Sequence, residues 1–246
     1  MQGRYREDLP EGSYNDRLYR PSDSHRPSKQ TATVSLLRLH VGHGMVSEAE
    51  KIIDLYERHA RDYVADRARV GWNEAAWLDR FSALLSPGAP VLDIGCGSGE
   101  PIASYLIDRG FAVDGVDASP TLISLCRERF PQRSWHLADM RSLALEDTFD
   151  GIIAWDSFFH LSHDDQRRMF PIFKQHGSPG AVLMFTSGTS YGEAIGSYLG
   201  DPLYHASLAP QEYRALLESA DFSVLAHVAE DPNCGGHTIW LARAES

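Results

Sequence analysis

Cysteine is scarce in this 246-residue chain, and the three cysteines present lie far apart with no CxxC pair: Cys96, Cys126 and Cys234. This spacing argues against a disulfide framework and against a zinc cluster, so we expect no metal site. No run of about 18 apolar residues occurs, as a membrane-spanning helix would require. The N-terminus is polar and lacks the apolar segment of a secretory signal. These absences predict a cytoplasmic protein without a membrane partner.

Basic residues are also few: 23 Lys and Arg stand against 34 Asp and Glu, which gives a formal charge of −11. Nucleic acids and anionic membranes favour proteins with clustered lysine and arginine. The charge therefore argues against a nucleic acid as the main partner. What the chain does have is an ordinary globular composition, with 43% hydrophobic and 23% charged residues. A chain of this length and composition can bury one sizeable core.

The first 44 residues differ from the rest in composition. Pro10, Pro21 and Pro27 interrupt a polar segment that has no sustained apolar periodicity before Val34. Such a segment buries too little apolar surface to offset the entropy cost of ordering it. We therefore predict a disordered or loosely attached tail over residues 1–44 and a folded domain over residues 45–246.

From residue 45 to residue 86, apolar residues recur at spacings of three and four, which predicts amphipathic helices. Strand and helix signals then alternate. The predicted strands are residues 91–94, 111–116, 134–137, 151–155, 181–186, 222–228 and 237–242. This alternation predicts an α/β fold with a mainly parallel, doubly wound sheet and helices on both faces. The turn between the last two strands is too short for a crossover helix, so these two strands should pair antiparallel.

The most informative segment runs from Asp93 to Gly99 and places glycines, spaced as GxGxG, directly after the first predicted strand. A glycine turn there lets the backbone approach a ligand closely. The following helix directs its N–H groups at the same spot. Asp117, at the end of the second predicted strand, lies where a carboxylate can accept both hydroxyls of a ribose. The turn and the acid together indicate a nucleoside-containing cofactor.

The run VLDIGCGSG over residues 91–99 strongly resembles motif I of class I S-adenosylmethionine-dependent methyltransferases, and the resemblance continues in order through most of residues 50–244. It implies a Rossmann-like seven-stranded sheet with its last strand antiparallel, and S-adenosyl-L-methionine as the cofactor. An acid before the first glycine also suits a ligand that bears an ammonium group and no phosphates. The predicted cofactor-binding residues are Tyr63, Asp93, Gly95, Cys96, Gly97, Gly99, Asp117, Ala118, Asp139, Met140 and Trp155.

The resemblance also suggests individual roles. Asp117 is the expected ribose ligand, Asp139 the acid that meets the adenine amine, and Met140 the apolar neighbour of the adenine ring. The N-terminal helices are expected to cover the cofactor, with Tyr63 or Arg67 bound to its methionine carboxylate. Tyr63 and Arg67 fit a plain helix surface equally well, so that alternative stays open.

His160 follows the fourth predicted strand and is the candidate general base for a hydroxyl or amine acceptor, because an imidazole titrates near neutral pH. The alternative is a histidine at a helix start that bonds the backbone. The connection over residues 187–209 is longer than is usual. It is predicted to be an acceptor-site loop, with a solvent-exposed insertion as the alternative. Phe159, Tyr204 and His205 are the predicted substrate residues.

The predicted function is S-adenosylmethionine-dependent methyl transfer to oxygen or nitrogen of a small-molecule metabolite. One alternative is a nicotinamide-dependent oxidoreductase, which Asp93 and the GxGxG spacing disfavour. Another is a non-catalytic S-adenosylmethionine-binding module that regulates a partner. A nucleic-acid methyltransferase is disfavoured by the charge, whereas a protein methyltransferase stays open.

Overall fold

The computed structural model describes residues 47–69 and 72–245, and the predicted tail over residues 1–44 lies outside this part of the chain. The helices are α1 (Ile52–Arg58), α2 (Ala60–Arg69), α3 (Ala75–Ser82), α4 (Ile102–Asp108), α5 (Pro120–Arg129), α6 (His163–His176) and α7 (Pro210–Ser219). The strands are β1 (Pro90–Ile94), β2 (Ala112–Asp117), β3 (Trp135–Leu137), β4 (Phe149–Ala154), β5 (Gly177–Ser187), β6 (Gly192–Tyr198), β7 (Asp201–Ser207), β8 (Phe222–Asp231) and β9 (His237–Ala244). Among the described residues, no helix has both the length and the apolar character needed to cross a membrane.

Seven of the strands form one sheet in the order β3-β2-β1-β4-β5-β9-β8. β1 to β5 run parallel, whereas β9 pairs antiparallel with both β5 and β8. The predicted fold class, a Rossmann-like doubly wound sheet of seven strands with its last strand antiparallel, is confirmed. The strand order reverses between β1 and β4. In open α/β sheets such a reversal leaves a crevice at the carboxyl ends of the strands, where ligands bind.

Helices cover both faces of the sheet because its central strands are apolar on both sides. On one face, α3, α4 and α5 pack through side chains such as Phe81, Leu106 and Ile123. On the other face, α6 and α7 enclose a cluster of aromatic rings with neighbouring strands: Phe158, Phe170, Phe173, Phe185, Tyr213 and Trp240. Burial of one such side chain contributes about 1.5–3 kcal/mol. The packed faces therefore fix the positions of the strand ends.

The segment over residues 187–209, which was predicted to be an acceptor-site loop, contains regular secondary structure. β6 and β7 form a separate two-stranded antiparallel hairpin within it. Leu203, Tyr204 and Ala206 of this hairpin pack with Ile52 and Leu55 of α1. The strand signal was weak because β6 alternates exposed residues with partly buried ones and has few large apolar side chains. The hairpin packs on α1, and sequence periodicity does not reveal a contact of this kind.

The N-terminal helices lie over the carboxyl ends of the strands. Glu57 of α1 accepts hydrogen bonds from the hydroxyls of Ser119 and Thr121, at 2.5 and 2.7 Å. A third bond, at 3.1 Å, comes from the N–H of Thr121. These contacts lower the pKa of Glu57 and join α1 to the turn after β2. The helix that covers the crevice is therefore held in place by the strand end that it covers.

Candidate active site

The turn between β1 and α4 is built from glycines in a left-handed backbone conformation. Gly95, Gly97 and Gly99 have φ angles of 77°, 56° and 80°, which other residues adopt only with strain. The N–H groups of Gly95 and Cys96 donate to the carbonyl of Val116, at 2.7 and 3.0 Å. The turn is therefore tied to β2, and its backbone lies open on the carboxyl side of the sheet.

Asp117 ends β2 and faces the glycine turn. Its carboxylate accepts the N–H groups of Gly97 and Ser119, at 3.0 and 2.8 Å. Burial raises the pKa of Asp117 to about 6, although these hydrogen bonds favour the ionised form. Each carboxylate oxygen has room for a second donor. This is the arrangement that the two hydroxyls of a ribose require.

Asp93 lies in β1 just before the turn and is 2% exposed. One of its carboxylate oxygens has no hydrogen-bond partner among the described residues. Burial, together with the negative charge of Asp117, raises the pKa of Asp93 to about 7. A buried carboxylate without full compensation is costly to the fold. A positively charged group of a ligand nearby would relieve that cost.

Replacing Asp93 with asparagine is expected to stabilise the ligand-free protein above neutral pH. A carboxyl whose pKa is raised by folding stabilises the fold only at low pH, and that stabilisation is lost as the pH rises through the folded value of about 7. Asparagine carries no charge at any pH. The melting temperature of Asp93→Asn should therefore exceed that of the wild type by about 5 °C at pH 8, and the difference should disappear near pH 4.

The matched control is Asp114→Asn, which removes a partly exposed carboxylate of β2 that pairs with His136. This variant should show no comparable gain at pH 8. If Asp93→Asn melts below the wild type at pH 8, Asp93 is stabilised by contacts other than those described here.

A cavity lies between the N-terminal helices and the carboxyl ends of β1, β2 and β4. Seven of the predicted cofactor residues line it: Tyr63, Gly95, Gly97, Asp117, Ala118, Asp139 and Met140. The predicted base His160 lines it as well. Val116, Leu122 and Ala138 add apolar wall. The structure thus brings most of the predicted cofactor site together around one cavity.

Four predicted cofactor residues do not line this cavity: Asp93, Cys96, Gly99 and Trp155. The sulfur of Cys96 points to the carbonyl of Gly97, 3.7 Å away, on the inner side of the turn. Gly99 faces the rings of Phe130 and Trp135. Trp155 is buried in the core, with its ring against that of His237. These residues contact the turn and the strand end on the side that faces away from the cavity. Successive side chains of a strand point to opposite faces, so some of them must point away from the cavity.

Asp139 reaches the cavity as half of an ion pair. Nε of Arg141 lies 3.0 and 2.9 Å from the two carboxylate oxygens of Asp139. Burial opposes ionisation of Asp139, but the hydrogen bonds from Arg141 outweigh it and lower the pKa. Arg141 also lines the cavity. Sequence analysis missed it, because an arginine two residues beyond a motif acid is not a distinctive pattern.

The N-terminal helices contribute two tyrosines whose rings meet edge to face, Tyr56 and Tyr63, with centroids 5.3 Å apart. The Tyr63 ring lies close to the glycine turn, since a Cβ atom on Gly97 would be 3.3 Å from its Cε1. Burial raises the pKa of both phenols, so both hydroxyls keep their protons. Arg67, the other predicted carboxylate ligand, is paired with Glu74 away from the solvent.

His160 is buried and hydrogen-bonded at both ring nitrogens. Nδ1 lies 2.8 Å from the carbonyl of Tyr204, and because a carbonyl only accepts, Nδ1 carries the proton. Nε2 then accepts the hydroxyl of Tyr56 at 2.8 Å. Burial and the neighbouring His205 lower the pKa of His160 to about 3. The ring is therefore neutral and is joined to a tyrosine that faces the cavity. Sequence analysis did not assign Tyr56 to the site, although it lies seven residues before Tyr63 on the same helical stripe.

A second cavity lies between the β6–β7 hairpin and the turn that joins β8 to β9. Phe159 and His205 line it, so two of the predicted substrate residues meet there. Tyr204 does not line it. Its side chain packs against α1, and its hydroxyl donates to Glu193 at 2.8 Å. Neighbouring residues of a strand point to opposite faces, so the side chains of His205 and Tyr204 point in opposite directions.

The end of β4 provides two further residues of the first cavity that sequence analysis did not assign, Asp156 and Ser157. The hydroxyl of Ser157 donates to the carbonyl of Ile94 at 2.7 Å and so joins the ends of β4 and β1. The available signal was position alone, since both residues directly follow a predicted strand whose carboxyl end faces the ligand crevice.

The fold and the cavity define a doubly wound α/β protein with a nucleoside-binding arrangement at the carboxyl edge of its sheet. Residues 91–180 match the family model of the methyltransferase domain. Over these residues the chain is similar to a methyltransferase domain, which confirms the resemblance to methyltransferases that the sequence predicted. This match favours a methyltransferase over the nicotinamide-dependent oxidoreductase.

Curated relatives match part of the chain. Magnesium-protoporphyrin O-methyltransferase of Rhodobacter capsulatus is 32% identical over 145 residues, which cover 57% of this chain and 58% of that protein. Methyltransferase GfsG of Streptomyces halstedii is 32% identical over 114 residues, covering 43% of this chain and 41% of that protein. The chain thus spans about half the length of these relatives.

Solved structures share the fold over most of the chain. The amino pentose methyltransferase CalS10 of Micromonospora echinaspora, bound to S-adenosylmethionine, has a TM-score of 0.59 at 20% identity and covers 74% of this chain and 95% of its own. The 1,6-didemethyltoxoflavin-N1-methyltransferase of Burkholderia thailandensis has a TM-score of 0.62 at 20% identity and covers 84% of this chain and 94% of its own.

Proposed function

We propose that this protein transfers the methyl group of S-adenosylmethionine to nitrogen or oxygen of a small-molecule metabolite. The observation that carries the proposal is the cavity in which Asp117 and the Gly95–Gly97 backbone face the N-terminal tyrosines, within a methyltransferase domain. Relatives and neighbours whose names give magnesium-protoporphyrin, an amino pentose and 1,6-didemethyltoxoflavin as their substrates support a small acceptor. The chain's formal charge of −11 favours a small-molecule acceptor over a nucleic acid.

The residues present fit S-adenosylmethionine. Asp117 would hold the ribose hydroxyls, and Met140, Val116 and Leu122 would flank the adenine with apolar surface. Asp93 lies behind the turn and does not line the cavity, so its carboxylate would favour a ligand with net positive charge only at a distance. When bound, S-adenosylmethionine supplies a methyl group made electrophilic by its positive sulfur. No general acid is then needed for the leaving group.

The residues of the chain supply position and exclusion of water. Transfer of this kind is accelerated chiefly by holding the two reactants in line and in contact. α1 and α2 cover the cavity with the partly buried rings of Tyr56 and Tyr63. His160 was predicted to be a general base, and that role stays a prediction. Its contacts support a different role, in which the neutral ring fixes the direction of the Tyr56 hydroxyl.

The proposal is tested by calorimetric titration with S-adenosylmethionine and with S-adenosylhomocysteine, beside NADH as a control ligand. Transfer of a labelled methyl group into a fractionated extract then tests turnover. We expect the two sulfur compounds to bind and NADH not to bind, and label to appear in a small molecule. Binding without any labelled product would favour the non-catalytic regulatory module instead. Binding of NADH alone would refute the proposal.

Tyr56→Phe and His160→Ala are each expected to lower kcat about tenfold, because loss of one oriented hydrogen bond corresponds to about 1.4 kcal/mol. If His160 acts through Tyr56, the double variant should be no slower than His160→Ala alone. The measurement is kcat for the three variants at saturating cofactor. A single-variant loss much larger for His160→Ala than for Tyr56→Phe would instead support the general base.

The control for this series is Tyr105→Phe. The hydroxyl of Tyr105 donates to Asp79 at 2.7 Å, outside both cavities. This variant removes the same atom from a tyrosine and should leave kcat within about twofold of the wild type.

A further inference from the structure

Four neighbouring strands of the sheet end at the first cavity, in the order β3, β2, β1 and β4. Asp139 follows β3, Asp117 ends β2, Gly95 follows β1 and Asp156 follows β4, and all four residues line the cavity. Because neighbouring strands lie about 4.8 Å apart, the strands that carry Asp117 and Asp156 are separated by about 10 Å. A ligand that occupies all four strand ends is therefore elongated, with Asp117 near its middle and Asp156 at one end.

The proposed function implies which part of the ligand would lie at which end. With the ribose at Asp117 and the adenine beside Met140, which follows β3, the amino-acid part of S-adenosylmethionine would extend past Gly95 towards the end of β4. That part carries an α-ammonium group and an α-carboxylate. The residues at the β4 end therefore decide how the charged end of the cofactor is held.

Asp156 presents a carboxylate at this end. The residue adopts a left-handed conformation with φ of 48°, and its N–H donates to the hydroxyl of Thr186 at 2.9 Å. Non-glycine residues with positive φ cluster at functional sites, where the surrounding structure maintains the strain. The side chain is 12% exposed and lines the first cavity. The carboxylate is thus fixed in the wall of that cavity, with part of its surface open to a ligand.

His237 holds Asp156 as an anion from the side of the second cavity, which His237 lines. Its Nδ1 lies 2.5 Å from the carbonyl of Cys234, and its Nε2 lies 3.0 and 3.1 Å from the two carboxylate oxygens of Asp156. A carbonyl and an ionised carboxylate only accept, so both ring nitrogens donate and the ring is an imidazolium. Burial alone would lower the pKa of His237, but the charge of Asp156 raises it to about 11. Burial would raise the pKa of Asp156, and the charge of His237 lowers it instead.

Two other polar groups near this end are less suited to bind a cation. Asp93, which the glycine motif places before the turn, is 2% exposed and does not line the cavity. Tyr56 donates its hydroxyl proton to His160, so it offers the cavity only an uncharged oxygen. Asp156 is therefore the carboxylate at the β4 end that a ligand in the first cavity can contact.

The charges around this end favour a cation over an anion. The carboxylates of Asp117 and Asp156 line the cavity, whereas the nearby cationic side chains, Arg67 and Arg141, are each paired with another carboxylate. Such a wall attracts a cationic group of a ligand and repels an anionic one. An ammonium group also forms charge-assisted hydrogen bonds with a carboxylate, which are about twice as strong as neutral ones.

We propose that Asp156 binds the α-ammonium group of S-adenosylmethionine and that His237 positions the Asp156 carboxylate for this contact. The inference rests on the proposed function and deepens it, because it names the residue that selects a cofactor with a free amino group. The contact is then made by a residue that follows β4, and not by Asp93 of the glycine motif. His237 acts through Asp156, since it lines the second cavity and not the first.

The contact is tested by calorimetric titration with two ligands. One is S-adenosylhomocysteine, which has the same amino-acid end as S-adenosylmethionine, and the other is its deamino analogue, in which hydrogen replaces the α-amino group. The wild type should bind S-adenosylhomocysteine about 10- to 100-fold more tightly than the analogue. Asp156→Asn should bind the two ligands within about threefold of each other, because an amide oxygen accepts only a neutral hydrogen bond from the ammonium group.

The control variant is Asp114→Asn, which removes a carboxylate that lines neither cavity and should keep the wild-type preference. If Asp156→Asn keeps that preference too, or weakens both ligands equally, the inference is overturned while the proposed function stands. A wild type that binds both ligands with equal affinity would have the same meaning. A wild type that binds neither ligand would overturn the proposed function itself and the inference with it.

The positioning role of His237 is tested with the same pair of ligands. His237→Gln should reduce the preference for S-adenosylhomocysteine at least about threefold and leave the Kd of the deamino analogue within about twofold, whereas a purely structural role would weaken both ligands alike. The control is His227→Gln, which changes a histidine of β8 that stacks on Trp240 outside both cavities. An unchanged preference in His237→Gln would refute the positioning role.

NMR of the ring nitrogens of His237 tests the pair in the wild type, without any substitution. Both nitrogens should stay protonated through pH 9 in the free protein. Addition of S-adenosylhomocysteine should shift their signals more than the deamino analogue does, because the ammonium group would share the carboxylate of Asp156 with His237. A His237 that is neutral at pH 8, or equal shifts with the two ligands, would refute the contact.

Discussion

Replacing Asp117 with alanine is expected to weaken the binding of S-adenosylmethionine at least 100-fold. The ligand hydroxyls would lose their hydrogen bonds to the carboxylate, and a hydrogen bond to a charged group is worth about 1.5–3 kcal/mol. The N–H groups of Gly97 and Ser119, which now donate to Asp117 at 3.0 and 2.8 Å, would also lose their acceptor, so the turn would be less ordered before binding. Since 1.4 kcal/mol corresponds to about tenfold in Kd, two such bonds suffice for the expected loss.

Calorimetric titration of the purified variant measures this effect. Asp114→Ala is the matched control, because it removes an aspartate from the same strand, where it pairs with His136 and lines neither cavity. Its Kd should match that of the wild type. Binding by Asp117→Ala within about fivefold of the wild type would show that the ribose lies elsewhere.

Replacing Gly95 with alanine is expected to abolish cofactor binding and to lower the melting temperature by about 6–12 °C. The left-handed conformation at φ 77° costs a non-glycine residue about 1–2 kcal/mol. The added methyl group would also overlap the side chain of Ser157, with the hydroxyl oxygen only 2.7 Å away. That side chain bonds the carbonyl of Ile94, so moving it disturbs the ends of β1 and β4 together. A combined cost of about 3 kcal/mol gives the expected shift for a domain of this size.

The two contributions can be separated. Gly110 has the same kind of backbone, with φ of 88°, and a Cβ atom there would meet nothing within 4 Å. Gly110→Ala should therefore show the conformational cost alone, about 2–8 °C. In the Gly95→Ala variant, the second change Ser157→Gly should recover part of the lost stability by removing the overlapping atoms. If Gly95→Ala and Gly110→Ala lose equal stability, contact with Ser157 does not constrain the turn.

The residues that sequence analysis placed at the cavity belong to short local motifs. Gly95, Gly97 and Asp117 follow predicted strands directly, and in a parallel sheet those strand ends lie at one edge. Placing them needed only the strand order. By contrast, Trp155 was assigned to the cofactor because it ends the predicted fourth strand, yet its ring is buried in the core against His237. Sequence alone does not tell which side of a strand end faces the crevice.

Contacts between distant segments could not be predicted from the sequence. Tyr56 and His160 are 104 residues apart, and His237 and Asp156 are 81 residues apart. Neither pair has a local signature. His160 was judged from its placement and the ordinary pKa of an imidazole, whereas burial against His205 lowers that pKa to about 3. Desolvation of a side chain depends on the complete fold, so no motif reports it.

The amino-acid sequence by itself determined the doubly wound sheet, the glycine turn and the carboxylate that ends β2. These features follow from short-range apolar periodicity and backbone conformation. Only the tertiary structure decided that residues 187–209 form a hairpin on α1, that His160 is a neutral partner of Tyr56, and that Asp156 and His237 divide two cavities. The reason is physical: hairpin packing, pKa values and ion pairs depend on which distant groups exclude water from one another, and that is settled only when the chain has folded.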